Sequence, residues 1–300
     1  MNGHLHTIGS SFFRKSPEIS YERITIDTPD GDFLIADWAE CTYTEKAVLL
    51  LHGLEGSSER YYIRELMQSF REHEYSVLAL NFRGCLGPIN KKRRFYHSGE
   101  TSDLAFIINW LRSQKQKHQL AVVGFSLGGN VLLKYLGETG SGSQIDAGIA
   151  ISVPYDLKAG SLRIGTGFNK VYQQYFLQSL NQKLKIKQNK FNDLPRFTGR
   201  TLYDFDDQVT SILHGFKDAE DYYRVCSSKR FLADIKTESL LIHAQDDPLC
   251  SIQTMPLQTV NKNPYLYPLT TKKGGHVGFW SSPKGWLNTV SLNFINQLFS

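Results

Sequence analysis

The chain has 300 residues, of which 41% are hydrophobic and 21% charged, with a formal net charge of +5. This composition excludes a fibrous or disordered chain, and the mild basic excess without a binding motif gives no ground for a nucleic-acid partner. The four cysteines have no Cys-x-x-Cys spacing, no stretch approaches the length of a membrane span, and residues 1–15 lack a signal-peptide core, so a cytoplasmic protein with free thiols is expected.

Tyr21–Asp27 and Phe33–Glu40 alternate around Pro29-Asp30-Gly31 and predict a hairpin. Ala47–Leu51 is a continuous apolar run, as expected of a strand buried on both faces. Glu59–His73 follows with helical spacing. Ser76–Phe82 then predicts a strand, Asp103–Lys115 a helix, Leu120–Phe125 a strand, Leu127–Leu136 a helix and Ala147–Val153 a strand. From about Tyr155 to Arg230 the rhythm breaks: no clean strand is visible, and Phe168, Val171, Tyr172, Tyr175, Phe176 and Leu180 have helical spacing. The alternation resumes with strands at Ser239–Ala244 and Tyr265–Leu269 and a helix at Trp286–Phe299. The expectation is one α/β domain over residues 1–300, a mostly parallel sheet covered by helices on both faces, with a helical cap at 155–230 inserted into it.

Gly124-Phe125-Ser126-Leu127-Gly128 fits Gly-x-Ser-x-Gly between a predicted strand and a predicted helix. That context raises a serine hydroxyl above the sheet on a sharp turn, as a nucleophile requires. A serine hydroxyl needs a base, and the base an orienting partner. In folds built on this elbow the order is serine, acid, histidine. Among the late histidines, His243 lies within a predicted strand and His214 within the insertion. His276 follows Gly274-Gly275 after the last strand, where an open sheet collects ligand-binding groups. The acid is Asp246 or Asp247, at the end of the preceding strand; Asp247, just before Pro248-Leu249, is the choice, with Asp246 capping the turn or solvated. Oxyanion donors are expected from the backbone N–H of Leu127 and of Leu54 in the loop His52–Ser58. His52 reads as a structural histidine, and Asp206-Asp207 as turn or cap residues. Phe168, Tyr172 and Phe279 are the candidate pocket residues. The lysine tract 183–190 reads as a solvated helix face, with anionic lipid headgroups as the alternative partner.

Several segments together resemble the YheT-like branch of the α/β-hydrolases: residues 2–8, His52–Ser58, Asn81–Cys85, Tyr96–Leu104, Gly124–Asn130, Phe205–Asp207, His214–Phe216, Ala219–Tyr223 and Gly274–Phe279. The sequence departs from the branch at His6, where Gln is usual, and at Leu86–Ile89. The resemblance implies an α/β-hydrolase fold and a Ser126–Asp247–His276 charge relay. It also implies carboxylesterase or acylglycerol-lipase activity on a small-molecule or lipid ester, with no metal or organic cofactor. Eukaryotic relatives carry an upstream membrane anchor, and this chain, beginning at the 2–8 motif, is expected to lack one. A thioesterase or acyltransferase with the same triad, and a non-catalytic ligand-binding relative, are the alternatives.

Overall fold

The computed structural model describes residues 3–7, 16–281 and 285–299. Eight strands form one sheet in the order β1-β2-β4-β3-β5-β6-β7-β8. They are β1 (Glu22–Asp27), β2 (Phe33–Ala39), β3 (Lys46–Leu51), β4 (Ser76–Asn81), β5 (Gln119–Phe125), β6 (Ala147–Ile151), β7 (Ser239–Ala244) and β8 (Leu266–Thr271). Pairings β1–β2 and β2–β4 are antiparallel, and from β4 to β8 every pairing is parallel. The hairpin and all six later predicted strands are present, their ends shifted by one or two residues.

The period-two geometry of a strand splits each apolar run between two faces. On β3, Ala47, Leu49 and Leu51 enter one cluster and Val48 and Leu50 the other. On β5, Leu120 and Val122 go one way and Ala121, Val123 and Phe125 the other. Both faces are thus apolar and both are covered. One carries α3 (Ser102–Ser113) and α4 (Leu127–Thr139), through Leu104, Ile107, Val131 and Leu132. The other carries α2 (Tyr61–Glu72) and α11 (Trp286–Leu298), through Leu66, Phe70, Leu292 and Ile295. A first short helix, α1, spans residues 3–7 and has no counterpart among the predicted elements.

Residues 152–238, between β6 and β7, contain no strand. They form α5 (Leu157–Ile164), α6 (Lys170–Gln188), α7 (Leu202–Phe205), a π-helical turn (Asp206–Thr210), α8 (Ser211–His214) and α9 (Ala219–Cys226), with short 3-10 turns between and after them. Another short helix, α10 (Leu257–Lys262), joins β7 to β8. The helical segment has its own apolar cluster, including Ile164, Leu177, Leu184, Leu202 and Phe205. The lysine tract is solvated only in part: Lys185 and Lys190 are exposed, while Lys183 and Lys187 turn inward. Lys187 is fully buried, its ammonium donating to the carbonyls of Lys92, Arg93 and Arg94, and Lys183 pairs with buried Glu55 at 2.8 Å. The four cysteines are free, and among the described residues no helix is long and apolar enough to cross a membrane.

Candidate active site

Ser126 stands between the last residue of β5 and the first of α4, with φ 52° and ψ −116°. A non-glycine residue at positive φ is strained and persists only where its surroundings impose it. Here the constraint is close packing. A Cβ on Gly124 would lie 2.4 Å from the Gly128 carbonyl oxygen, and one on Gly128 would lie 2.6 Å from the Leu51 carbonyl oxygen. Only glycine lets β5, α4 and the end of β3 approach this closely. The Ser126 N–H is held by the Ile151 carbonyl at 2.8 Å, which ties the turn to β6.

His276 lies beyond β8, and its Nδ1 is 2.8 Å from Asp247 Oδ2. A carboxylate only accepts, so Nδ1 carries the proton and Nε2 is the nitrogen left to take one. Asp247 is buried, and its Oδ1 accepts from the N–H groups of Leu249 and Cys250 at 2.8 and 3.0 Å. The neighbouring aspartate acts on the backbone instead. Asp246 Oδ1 accepts from the N–H groups of Gly274 and Gly275, both at 2.8 Å, and pins the loop that carries His276. The two aspartates that the sequence left open are thereby divided into one that meets the ring and one that holds its loop. Ser126 and His276 line one cavity of about 720 Å³. No hydrogen bond joins the serine hydroxyl to the ring, a looseness common in unliganded sites of this kind.

Leu54 and Leu127 also line the cavity, and among the described residues neither N–H has a protein acceptor. The Leu127 N–H is at the start of α4, where the helix dipole favours negative charge. Gly53 closes against the elbow, since a Cβ there would stand 3.2 Å from Ser126 Cβ. The loop is held from below by His52. Its Nδ1 donates to the Gly53 carbonyl at 2.7 Å and its Nε2 accepts from the Phe82 N–H at 3.1 Å, so it is a neutral structural histidine. Full burial lowers its pKa to about 3. From above the loop is held by Glu55, at φ 51°, whose carboxylate meets Lys183 of α6 at 2.8 Å, Tyr96 O–H at 2.7 Å and the Ser179 hydroxyl.

Of the candidate pocket residues, Tyr172 lines the cavity, but Phe168 and Phe279 do not. Phe168 is 56% exposed on the turn before α6, where it packs edge-on to His4. Phe279 is buried in the sheet core, stacked on Trp286 and wedged beside Gly274. Helical spacing and nearness to the histidine loop did not reveal which side of the backbone each ring takes. His243 is buried with its Nε2 on the Cys250 carbonyl at 2.9 Å, and His214 packs on His97 with ring centres 4.5 Å apart.

Two features of the site are not legible in the sequence. One is α1, part of the 2–8 motif: Thr7 Oγ1 accepts the His276 N–H at 3.0 Å and donates to the Gly3 carbonyl at 2.8 Å. A Cβ on Gly3 would lie 1.8 Å from the Asp246 carbonyl oxygen, so the helix sits directly on the loops bearing Asp247 and His276. The other is Asp206, which opens the π-helical turn after α7 and also lines the cavity; Asp207 accepts from the Ala219 N–H at 3.0 Å, so the pair keeps the turn or cap role that the sequence indicates. The glycine in the 2–8 motif was a signal for close backbone contact, but nothing in the sequence said with what.

A family model described as the alpha/beta hydrolase fold matches residues 46–283. The chain belongs to the α/β-hydrolase family. Within it, this α/β-hydrolase is 34% identical to YheT of Escherichia coli over 96% of this chain and 88% of that one. It is 29% identical to the monoacylglycerol lipase of Saccharomyces cerevisiae over 88% of this chain and 60% of the yeast protein. It is 26% identical to human phospholipase ABHD3 over 99% of this chain and 76% of that protein. Among solved structures, the Pyrococcus furiosus esterase Pf2001 superposes with a TM-score of 0.65 at 19% identity, covering 95% of this chain and 97% of the other, a likeness of fold.

Proposed function

We propose that this protein is a serine hydrolase that cleaves carboxylic esters, short- or medium-chain acyl esters or acylglycerols, through an acyl-enzyme on Ser126. The observation that carries the reading is the buried Asp247–His276 hydrogen bond beside a strained serine elbow, both opening on one cavity. Asp247 fixes the ring with its proton on Nδ1, so Nε2 can take the proton of the Ser126 hydroxyl as it attacks the ester carbonyl. The oxyanion that forms is met by the N–H groups of Leu54 and Leu127, neither of which has to abandon a protein acceptor. His276 then protonates the departing alcohol, and later takes a proton from the water that cleaves the acyl-enzyme. The cavity wall includes Leu157, Ile164, Leu180 and Phe176, which suits an acyl chain. Relatives named for monoacylglycerol and phospholipid cleavage support a lipid ester.

Labelling with a fluorophosphonate probe, together with turnover of a panel of p-nitrophenyl esters, acylglycerols and acyl-CoA thioesters, tests this. The wild type is expected to be labelled and to hydrolyse esters, and Ser126→Ala to lose both. Absence of labelling on a folded wild type refutes a serine hydrolase, and turnover of thioesters alone replaces ester cleavage with thioester cleavage.

A further inference from the structure

Three of the segments that carry the family resemblance, Phe205–Asp207, His214–Phe216 and Ala219–Tyr223, lie in the helical segment, and the chemistry above uses none of them. Two of them converge on the cavity. The chain leaves α7 through the π-helical turn Asp206–Thr210, and a π turn inside a helix commonly marks a functional position. Asp206, Thr210, Tyr222, Tyr223 and Ser161 all line the same cavity as Ser126 and His276. Asp206 is partly buried and forms part of the cavity wall.

Its partners are all neutral. Thr210 O–H donates to Asp206 Oδ1 at 2.7 Å and Tyr223 O–H donates to Oδ2 at 2.7 Å. The Tyr223 oxygen is in turn 2.9 Å from Ser161 Oγ, completing a relay of hydroxyls that ends at the carboxylate. Among the described residues no lysine, arginine or histidine forms an ion pair with Asp206. Burial without a counter-ion raises its pKa to about 6, a cost that anchoring two hydroxyls does not require, since a neutral amide would accept from either. A carboxylate offers about four acceptor positions, of which the protein fills two. The wall around it includes Leu157, Ile164, Leu202 and Phe205, so this is a polar island in an apolar lining.

We propose that Asp206, held in place by Thr210 and Tyr223, is a second polar subsite of the cavity and accepts a hydrogen bond from a hydroxyl group of the substrate. The proposal rests on the ester-hydrolase reading and adds a substrate class to it: esters that carry a free hydroxyl away from the scissile bond. A quaternary ammonium group has no N–H or O–H to donate, so it would be drawn by charge alone and would give no preference for a hydroxyl. The hydroxyl has two sources, the alcohol half of a polyol ester or a hydroxylated acyl chain.

Two substrate pairs separate them: monodecanoylglycerol against ethyl decanoate, and methyl hydroxydecanoate against methyl decanoate. The readout is the ratio of kcat/KM within each pair. The wild type is expected to prefer the hydroxyl-bearing member of one pair, which names the source, and Asp206→Asn to reduce that ratio by about tenfold or more, as for a hydrogen bond to a charged group. Should Asp206→Asn not fold, Thr210→Val, which removes one of the hydroxyls holding the carboxylate, is expected to change the same ratio. No preference by the wild type in either pair overturns the subsite, as does a variant that lowers both members of a pair equally. Failure of the hydrolase reading is distinct: no ester of either pair turns over and Ser126 is not labelled by fluorophosphonate, and the subsite falls with it.

Discussion

The central strands of the sheet and the helical segment between β6 and β7 bury different things. Within β3, β5 and β6 nearly every buried side chain is apolar, and the residues of the proposed site sit past the strand ends: Leu54, Ser126, Asp247 and His276. The helical segment buries charge. Lys187 sits among three carbonyls, Lys183 against Glu55, and Asp206 among hydroxyls, while Leu162, Phe168, Val171 and Tyr175 are left exposed. Among the described residues, charge enters the sheet only on its β1–β2–β4 side, where buried Asp37 meets Arg23 and Arg64, and Arg83 meets Asp32 and Asp103. The helical segment docks through an apolar cluster shared with Phe95, Leu249 and Cys250 and through the buried polar contacts of Lys183 and Lys187.

The sharpest test of the sheet-borne half separates the two adjacent aspartates. Asp247→Asn is expected to lower kcat by about 10³–10⁴-fold with an intact fold, because the amide disfavours the proton arrangement that leaves Nε2 free. Asp246→Asn is expected to lower it by about 10–100-fold, because Gly274 and Gly275 keep an acceptor while the loop holding His276 loses charge-assisted bonds. Equal losses at the two positions would show that holding the loop matters as much as holding the ring. Steady-state kinetics alongside thermal melting reads both.

The same contrast explains what could be read from the sequence. The strands were legible because a two-sided sheet writes itself as unbroken apolar runs such as Ala47–Leu51, and the elbow because Gly124, Ser126 and Gly128 have few alternatives at so tight a corner. Chain order singled out His276 and Asp247, and the structure brings their side chains into hydrogen bond. What periodicity cannot carry is a contact between distant segments. Lys183 and Lys187 read as part of a solvated basic face, since their partners Glu55 and the 92–94 carbonyls lie 128 and 93 to 95 residues away. Asp206 is the turn residue that the sequence indicates, but a turn does not show which side its carboxylate takes, and Phe168 and Phe279 were placed in the cavity because position along the chain does not tell which neighbour a ring meets. Residues 3–7 are too short to show a helical pattern, so their seat on the Asp246 and His276 loops left no trace beyond Gly3.

If polar contacts carry the docking, cutting one should disturb the reaction as well as stability. Lys183→Met leaves the Glu55 carboxylate buried without its counter-ion, at a cost of about 3 kcal/mol. It also frees the loop that positions the Leu54 N–H, so kcat is expected to fall about tenfold with KM less affected. Adding Glu55→Gln removes the unpaired charge and should recover stability more than rate. Recovery of both together would reduce Lys183 to a structural partner. Urea unfolding and kinetics on the two variants check this.

Titration separates the buried histidines from Asp206 by sign. Burial holds His52, His97 and His214 each near about 3, against an ordinary 6.5, so below pH 6.5 the unfolded chain takes protons that the folded one refuses. Their contribution to stability is full above pH 6.5 and is lost as the pH falls toward 3, at about 1.4 kcal/mol per pH unit for each group. Asp206 runs the other way. With its pKa raised to about 6 from 3.8, the folded state holds a proton that the unfolded state has released, so between these values stability falls as pH rises. Asp206→Asn should therefore steepen the acid destabilisation between pH 6 and 4. Relative to wild type it should be more stable at pH 7.5, by on the order of 1–3 kcal/mol, than at pH 4. Urea midpoints at several pH values measure both slopes, and parallel slopes would remove Asp206 from the account.

The smallest expected effect lies where the chain's first described residues meet the sheet edge. The Thr7 hydroxyl accepts the His276 N–H and passes its own proton to the Gly3 carbonyl, so one side chain joins α1 to the loop that bears the base. Thr7→Val keeps the shape and leaves the His276 N–H buried without an acceptor, a local cost of about 1–3 kcal/mol. The Asp247–His276 bond is untouched, so the ring keeps its tautomer and loses only precision of placement. The expected result is a three- to tenfold fall in kcat with KM and global unfolding nearly unchanged, and Thr7→Ser restoring the rate. A loss that Thr7→Ser does not restore would assign the effect to the methyl group and its packing. The apolar scaffold would then be sufficient to place His276 without this polar tie.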